Sequence, residues 1–213
     1  MEKIIPVLKR EVKKYQTPIV EVIAAERNDP FTILISTMLS LRTKDTTTAE
    51  ASRRLFRVAN TPKSMLELTA KQIEKLIYPV GFYKTKAKSI LRTCSILREQ
   101  YEGKVPDTIE QLVGLPGVGR KTANLVVSLG FGKDGICVDT HVHRISNRLG
   151  YVETKTPFET EMALRKKLPR RYWKDINVLL VTWGQNVCAP ISPHCSACAI
   201  RKWCTRRGVT TAR

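Results

Sequence analysis

No apolar run in this 213-residue chain approaches the ~20 residues that a membrane-crossing helix needs, which excludes a bilayer-spanning protein. The opening Met-Glu-Lys-Ile-Ile-Pro holds neither a long apolar stretch nor a small-residue cleavage site. No secretory signal is therefore expected, and the chain reads as cytoplasmic. Internal repeats, low-complexity tracts and Pro/Gly/Ser-rich linkers are all missing, so nothing supports a solenoid or a pair of loosely tethered domains. Acidic residues are few as well: 19 Asp and Glu stand against 37 Lys and Arg, for a net charge of +18 and a pI near 9.9. A balance this basic points to a polyanionic partner. A basic N-terminal helix lying on a membrane surface has only weak support, in Lys3, Lys9, Arg10, Lys13 and Lys14. The excess is instead densest late, with eleven Lys or Arg and one acid, Asp175, from position 163 onward. Nucleic acid fits better, because a duplex presents a charge every ~1.7 Å and rewards clustered cations.

Hydrophobic residues at 42% and charged residues at 26% are ordinary for a folded domain and exclude wholesale disorder. The patterning is helical. Asp29-Pro30 reads as a cap followed by a first-turn proline, and Phe31, Leu34, Ile35, Met38 and Leu39 then repeat along one face. Further helices are predicted over 63–77, 84–101 and, after a capping box Asp107-x-x-Glu110, through Val113. Others follow over 120–129, closed by Gly130 and Gly132, and over 140–149, capped by Asp139 and stopped by Gly150. The last two are expected over 157–168 and 172–183. Only short strands such as 136–138 are possible, so the fold class is all-α.

Between two of these helices lies Leu115-Pro116-Gly117-Val118-Gly119. A Gly-x-Gly turn that leads into a helix N-terminus can aim backbone N–H groups at a phosphate, and glycine lets that backbone come close. Lys121 falls in the first turn of the second helix. The positive helix end disfavours an ammonium there and favours the neutral amine that a Schiff base requires. Lys121 is thus either an amine nucleophile or a phosphate contact beside Arg120. A helix over 120–129 travels ~15 Å, and six extended residues can return up to ~20 Å, which brings Asp139 back to the mouth of the turn. A carboxylate there can act as a general base or simply cap the next helix.

Six cysteines without a secretory signal argue against a disulfide framework. Cys94 and Cys137 stand alone in apolar surroundings and read as small core residues. Cys188, Cys195, Cys198 and Cys204 form Cys-x6-Cys-x2-Cys-x5-Cys, a spacing that binds metal. With one short pair instead of two, it suits either zinc or an iron–sulfur cluster. His194 is a spare donor beside Cys195.

The run Leu115-Pro116-Gly117-Val118-Gly119-Arg120-Lys121-Thr122-Ala123-Asn124, then Val138-Asp139-Thr140-His141-Val142-His143-Arg144, then the cysteine tail resembles the endonuclease III family of helix-hairpin-helix DNA glycosylases and abasic-site lyases. The likeness runs from about Asp29 to Cys204. It implies two helical domains with a DNA-binding cleft between them. One is a six-helix domain over about 23–133 that contains the hairpin, and the other joins 1–22 to 134–213. It implies that Lys121 attacks C1′ of a flipped nucleotide, that Asp139 assists, and that Cys188, Cys195, Cys198 and Cys204 hold one four-iron–four-sulfur cluster. The implied partner is double-stranded DNA containing damaged bases, chiefly oxidised pyrimidines, or abasic sites. The implied state is a monomer associated with the nucleoid.

By the same resemblance, Gly117, Val118, Gly119, Arg120 and His141 contact DNA, and two loops fill the gap left by the flipped base. One loop carries Arg42, where many relatives have Gln. The other carries Phe82, where relatives often have Leu, with Lys84 beside it. The loop 189–194 has no Lys or Arg, unlike that of some relatives, so the expected phosphate grip moves to the basic segments around it, including Arg201 and Lys202. A non-enzymatic DNA-binding module with a structural metal would leave Lys121 and Asp139 unused. An electron-transfer protein would need neither the +18 charge nor the Gly-Val-Gly turn. Mismatch-specific glycosylases of the same superfamily usually lack a lysine at the position of Lys121.

Overall fold

The computed structural model describes all 213 residues, and every regular element in it is helical. The chain divides into two compact units, Ile19–Lys133 and Met1–Pro18 with Asp134–Arg213. The first break comes before Ile19 and not at the expected position 23, because α2 (Ile19–Arg27) is a single helix that packs on α3.

In the continuous unit, α3 (Pro30–Ser40) is buried at nine successive positions, Phe31 to Leu39. A helix apolar on all sides belongs at the centre of a domain. Its hydroxyls do not break this rule: Ser36 Oγ donates to Thr32 O at 2.6 Å and Thr37 Oγ1 to Ile33 O at 2.7 Å. The second central helix is α9 (Arg120–Phe131), buried from Thr122 to Ser128 and packed along α3. Gly130 does not close α9 as the sequence suggests. It lies inside the helix, where a Cβ would stand 3.2 Å from Pro30, and so lets α9 reach the start of α3. Gly132, at φ +63°, is the closing residue.

Around this pair run α4 (Asp45–Val58), α5 (Pro62–Leu66), α6 (Ala70–Ile77), α7 (Tyr83–Gln100) and α8 (Ile109–Val113). The single helix expected over 63–77 is in fact two. Thr61 with Ser64 and Thr69 with Gln72 form successive capping boxes, and the second box restarts the chain as α6. The cap of α8 is Thr108, whose side chain accepts from Gln111 N; it is not Asp107. Asp107 instead pairs with Lys133 at 2.6 Å.

The other unit is built from both ends of the chain. Ile4, Ile5 and Leu8 of α1 (Ile4–Glu11) are buried in one core with Ile136, Ile145 and Leu180. Its remaining helices are α10 (Thr140–Arg148), α11 (Pro157–Lys167) and α12 (Asp175–Asn186). The last starts three residues later than expected, after a 3-10 turn over Arg170–Tyr172. The extended residues 136–138 pair with no strand. The Cys137 carbonyl instead accepts from Asn177 Nδ2 at 3.1 Å.

Candidate nucleic-acid interface and reactive residues

In the hairpin between α8 and α9, Val118 N donates to Leu115 O at 3.1 Å and the Val118 side chain is buried. Val118 therefore anchors the turn, and the two glycines are its exposed members. Gly117 has φ +79°, a left-handed conformation that glycine adopts without strain, and a Cβ there would press at 3.3 Å on Met38 and Ser89. Thr93 Oγ1 ties Pro116 O to α7 at 3.1 Å. At Gly119 a Cβ would meet nothing within 4 Å, so the protein's own packing does not require glycine there. Gly119 is the N-cap of α9, and no side chain caps that helix. The N-terminus of this twelve-residue helix thus has no side-chain cap and lies behind an open glycine, where its N–H groups can reach an anion. Arg120 and Lys121 follow directly, both partly exposed on the first turn, where the buried run 122–128 fixes the helix beneath them.

The two loops expected to enter DNA lie at the ends of the same two helices that carry Met38 and Ser89. One follows α3: Thr43 N donates to Ser40 O at 3.1 Å, and Arg42 sits in that turn at φ +53°. The other precedes α7: Tyr83 N donates to Val80 O at 3.1 Å, and Phe82 sits in that turn at φ +58°. Both side chains are exposed, Phe82 by 61%. The Arg42 guanidinium lies over the Phe82 ring, 5.5 Å from its centre. Lys84, two residues on, is exposed, with its ammonium 6.0 Å from the Tyr83 ring.

The structure adds a residue that the sequence reading passed over. Lys86 on α7 is 9% exposed, and its ammonium donates to Leu39 O at 2.8 Å, Leu41 O at 2.5 Å and Thr43 Oγ1 at 3.3 Å. Burial pulls its pKa down to about 8. A signal for this existed: Lys86 falls on the same stripe of α7 as Ile90, Thr93 and Leu97.

In the other unit Asp139 is the N-cap of α10, with one oxygen, Oδ1, accepting from both His141 N and Val142 N at 2.9 Å. The capping function and a second oxygen coexist in one carboxylate. The His141 ring packs against Gly184 of α12, where any Cβ would collide with Nδ1, and Arg144 Nη2 lies 3.1 Å from that nitrogen.

Cys188, Cys195, Cys198 and Cys204 line one cavity, walled by apolar side chains such as Ile145, Trp183 and Ile200. No three such donors close on a point where one metal ion could sit. Arg148 Nη1 lies 3.4 Å from Cys188 Sγ, and the same guanidinium donates to Ala189 O and Pro190 O at 2.6 Å each. Arg144 donates to Cys188 O at 2.8 Å. Two arginines of α10 thus hold the first cysteine loop and place positive charge beside the sulfur. Four soft donors in an apolar cavity, with cations set against the charge thiolates bring, fit a thiolate-bound cluster. His194 also borders the cavity. Burial raises the pKa of Cys198 and of Cys204.

Four of the eleven late cations are held in ion pairs. Arg165 pairs with Glu161, Arg170 with Asp134, Arg171 with Glu2 and Arg207 with Glu153. Arg201 and Lys202 form no ion pair and stand exposed on the 3-10 turn Arg201–Trp203, between Cys198 and Cys204.

Comparisons agree with this assembly of parts. Residues 35–170 match the model of the HhH-GPD superfamily of base excision DNA repair proteins. Endonuclease III of Thermotoga maritima is 48% identical over 86% of this chain and 87% of its own length. A non-covalent endonuclease III–DNA complex superposes with a TM-score of 0.84 at 33% identity, covering 96% of this chain and 95% of that one. A trapped covalent endonuclease III–DNA intermediate gives 0.79 at 36% identity, over 84% of each chain.

Proposed function

This chain belongs to the HhH-GPD superfamily of base excision DNA repair proteins, and from that premise we propose how its own residues carry out the chemistry. The protein is a DNA glycosylase and abasic-site lyase that acts on DNA. The lesions assigned to it are oxidised, ring-damaged pyrimidines and abasic sites in duplex DNA, met by a monomer at the nucleoid. The observation that carries this reading is Lys121 on the first turn of an uncapped helix, directly after the open backbone of Gly119.

In the proposed sequence, the hairpin N–H groups and the α9 terminus hold a phosphate, while Arg42 and Phe82 occupy the gap left by an extruded nucleotide. Lys121 Nζ attacks C1′ with its lone pair, the glycosidic bond breaks, and the base leaves with a proton. The sugar ring opens to a Schiff base between Nζ and C1′. Loss of a C2′ proton expels the 3′ phosphate oxygen, and water then frees the lysine. Asp139 is assigned the carboxylate role, receiving the lysine proton or stabilising positive charge at C1′ through the oxygen not used for capping.

The four cysteines are assigned one four-iron–four-sulfur cluster. What supports this is that the four sulfurs share one cavity and that Arg148 sets positive charge beside Cys188. When bound, the cluster supplies a cross-link that fixes the Arg201–Lys202 turn. The test of the whole reading is borohydride trapping on duplexes bearing thymine glycol or an abasic site. The parent should form a covalent adduct. Lys121→Gln should bind the same duplexes without trapping or nicking them. A trapped adduct with this variant would move the nucleophile elsewhere.

A further inference from the structure

We propose that Lys86 is a positioning residue that clamps Arg42 and Phe82 into one preformed wedge before DNA is met, an inference that rests on the wedge reading above. Arg42 and Phe82 occupy matching places. Each is the third residue of a reverse turn closed by a bond from the fourth residue's N–H to the first residue's carbonyl, Ser40–Thr43 in one case and Val80–Tyr83 in the other. Each has positive φ at a turn position where glycine is the usual residue, and each exposes a large side chain there. Strain of this kind persists only where surrounding structure over-determines it.

Lys86 provides much of that constraint. It sits on the helix that begins at the Phe82 turn, yet all three of its bonds go to the Arg42 turn or its approach. Leu39 O is among the last carbonyls of α3, so the ammonium also sits at the negative end of that helix. Thr43 Oγ1 completes the link by accepting from Gly81 N at 3.1 Å. A Cβ at Gly81 would stand 2.5 Å from Arg42 O, so the turns touch backbone to backbone. α3 packs on α7 and α4 on α6, and within that frame the two turns themselves are joined through one lysine, one threonine and one glycine. The Arg42–Phe82 stack crowns that junction. A preformed wedge avoids ordering two loops at the moment of binding, and that advantage appears only where a wedge has a gap to fill.

The test is a double-mutant cycle on selectivity, read by fluorescence anisotropy as the affinity for a duplex with a tetrahydrofuran abasic analogue divided by that for the undamaged duplex. Phe82→Ala should lower the ratio about tenfold, and Lys86→Met should do the same while affinity for undamaged duplex stays near the parent's. The double variant should fall no further than either single one, because both act through one wedge. Multiplying losses of about a hundredfold, or an unchanged ratio in Lys86→Met, overturn the proposal. Thr43→Val, which keeps the lysine but cuts the link to Gly81, should show the same non-additivity with Phe82→Ala, and it decides the matter if Lys86→Met does not fold. A parent with no preference for the abasic analogue, or Phe82→Ala with the parent's ratio, removes the wedge reading and the inference with it.

Discussion

Replacing Asp139 separates its two roles, because its structural contribution can be matched by other residues and its charge cannot. Oδ1 satisfies two N–H groups of α10, the service that Asn and Ser perform about equally well at an N-cap. Asp139→Asn and Asp139→Ser keep that cap and lose only the favourable charge at the helix end, about 0.5 kcal/mol. Asp139→Ala loses the cap as well, for a total of about 1.5 kcal/mol. For a chain of this size each kcal/mol shifts the melting temperature by roughly 2–4 °C. Calorimetry should therefore place Asn and Ser about 1–2 °C below the parent and Ala about 3–6 °C below. Base removal under single-turnover conditions should follow a different order. All three variants should slow by more than about tenfold, since none carries a carboxylate. If the rates rank with the melting temperatures, or if Asp139→Asn keeps the parent's rate, Asp139 is a helix cap and its catalytic assignment is wrong.

Lys86 makes stability depend on pH. With its folded pKa near 8, the native state gives up that proton between about pH 8 and 10.5 while the unfolded chain keeps it, so stability rises with pH through that window. Relative to Lys86→Met, the parent should gain up to about 3 kcal/mol, and a pH-independent difference in melting temperature would contradict this. Cys94, whose thiol burial pushes up to about 12, should resist iodoacetamide at pH 8 in the native protein. Freshly prepared protein should be brown and contain iron, Cys94→Ala and Cys137→Ala should keep it, and stoichiometric zinc would overturn the cluster assignment. Arg201→Ala with Lys202→Ala should weaken binding to damaged and undamaged duplex alike and lower the slope of log affinity against log salt by about two units. An unchanged slope with lost iron would mean that the pair supports the cysteine turn and does not grip phosphate.

What the sequence made legible was local and periodic. Asp29-Pro30 announces α3 because capping chemistry lies within three residues: Asp29 Oδ2 accepts from Thr32 N at 2.8 Å. The all-helical class follows from apolar spacing, and the hairpin, Lys121 and the cysteines follow from short motifs. The split between α5 and α6 was also written locally, in two Thr-led boxes, but a continuous amphipathic pattern masked it. Lys86 was hidden for a different reason. A lysine on an amphipathic helix reads as solvated, and its acceptors lie 43 to 47 residues away, beyond any window of periodicity. The ion pairs that occupy Arg170, Arg171 and Arg207 are equally distant from composition: net charge counts cations without showing which already face a carboxylate.

The unit made from both chain ends also sets an order of events during synthesis. Ile4, Ile5 and Leu8 leave the ribosome long before the core residues that bury them, which begin at Ile136. At roughly 5–20 residues per second, α1 waits about 6–26 s with its apolar face uncovered. Meanwhile Ile19–Lys133 emerges whole, with its central helices α3 and α9 both inside it, and can condense first. A nascent chain from which Lys133 has just emerged would thus present a finished hairpin unit with the adhesive face of α1 still uncovered, the species most exposed to chaperones or to aggregation.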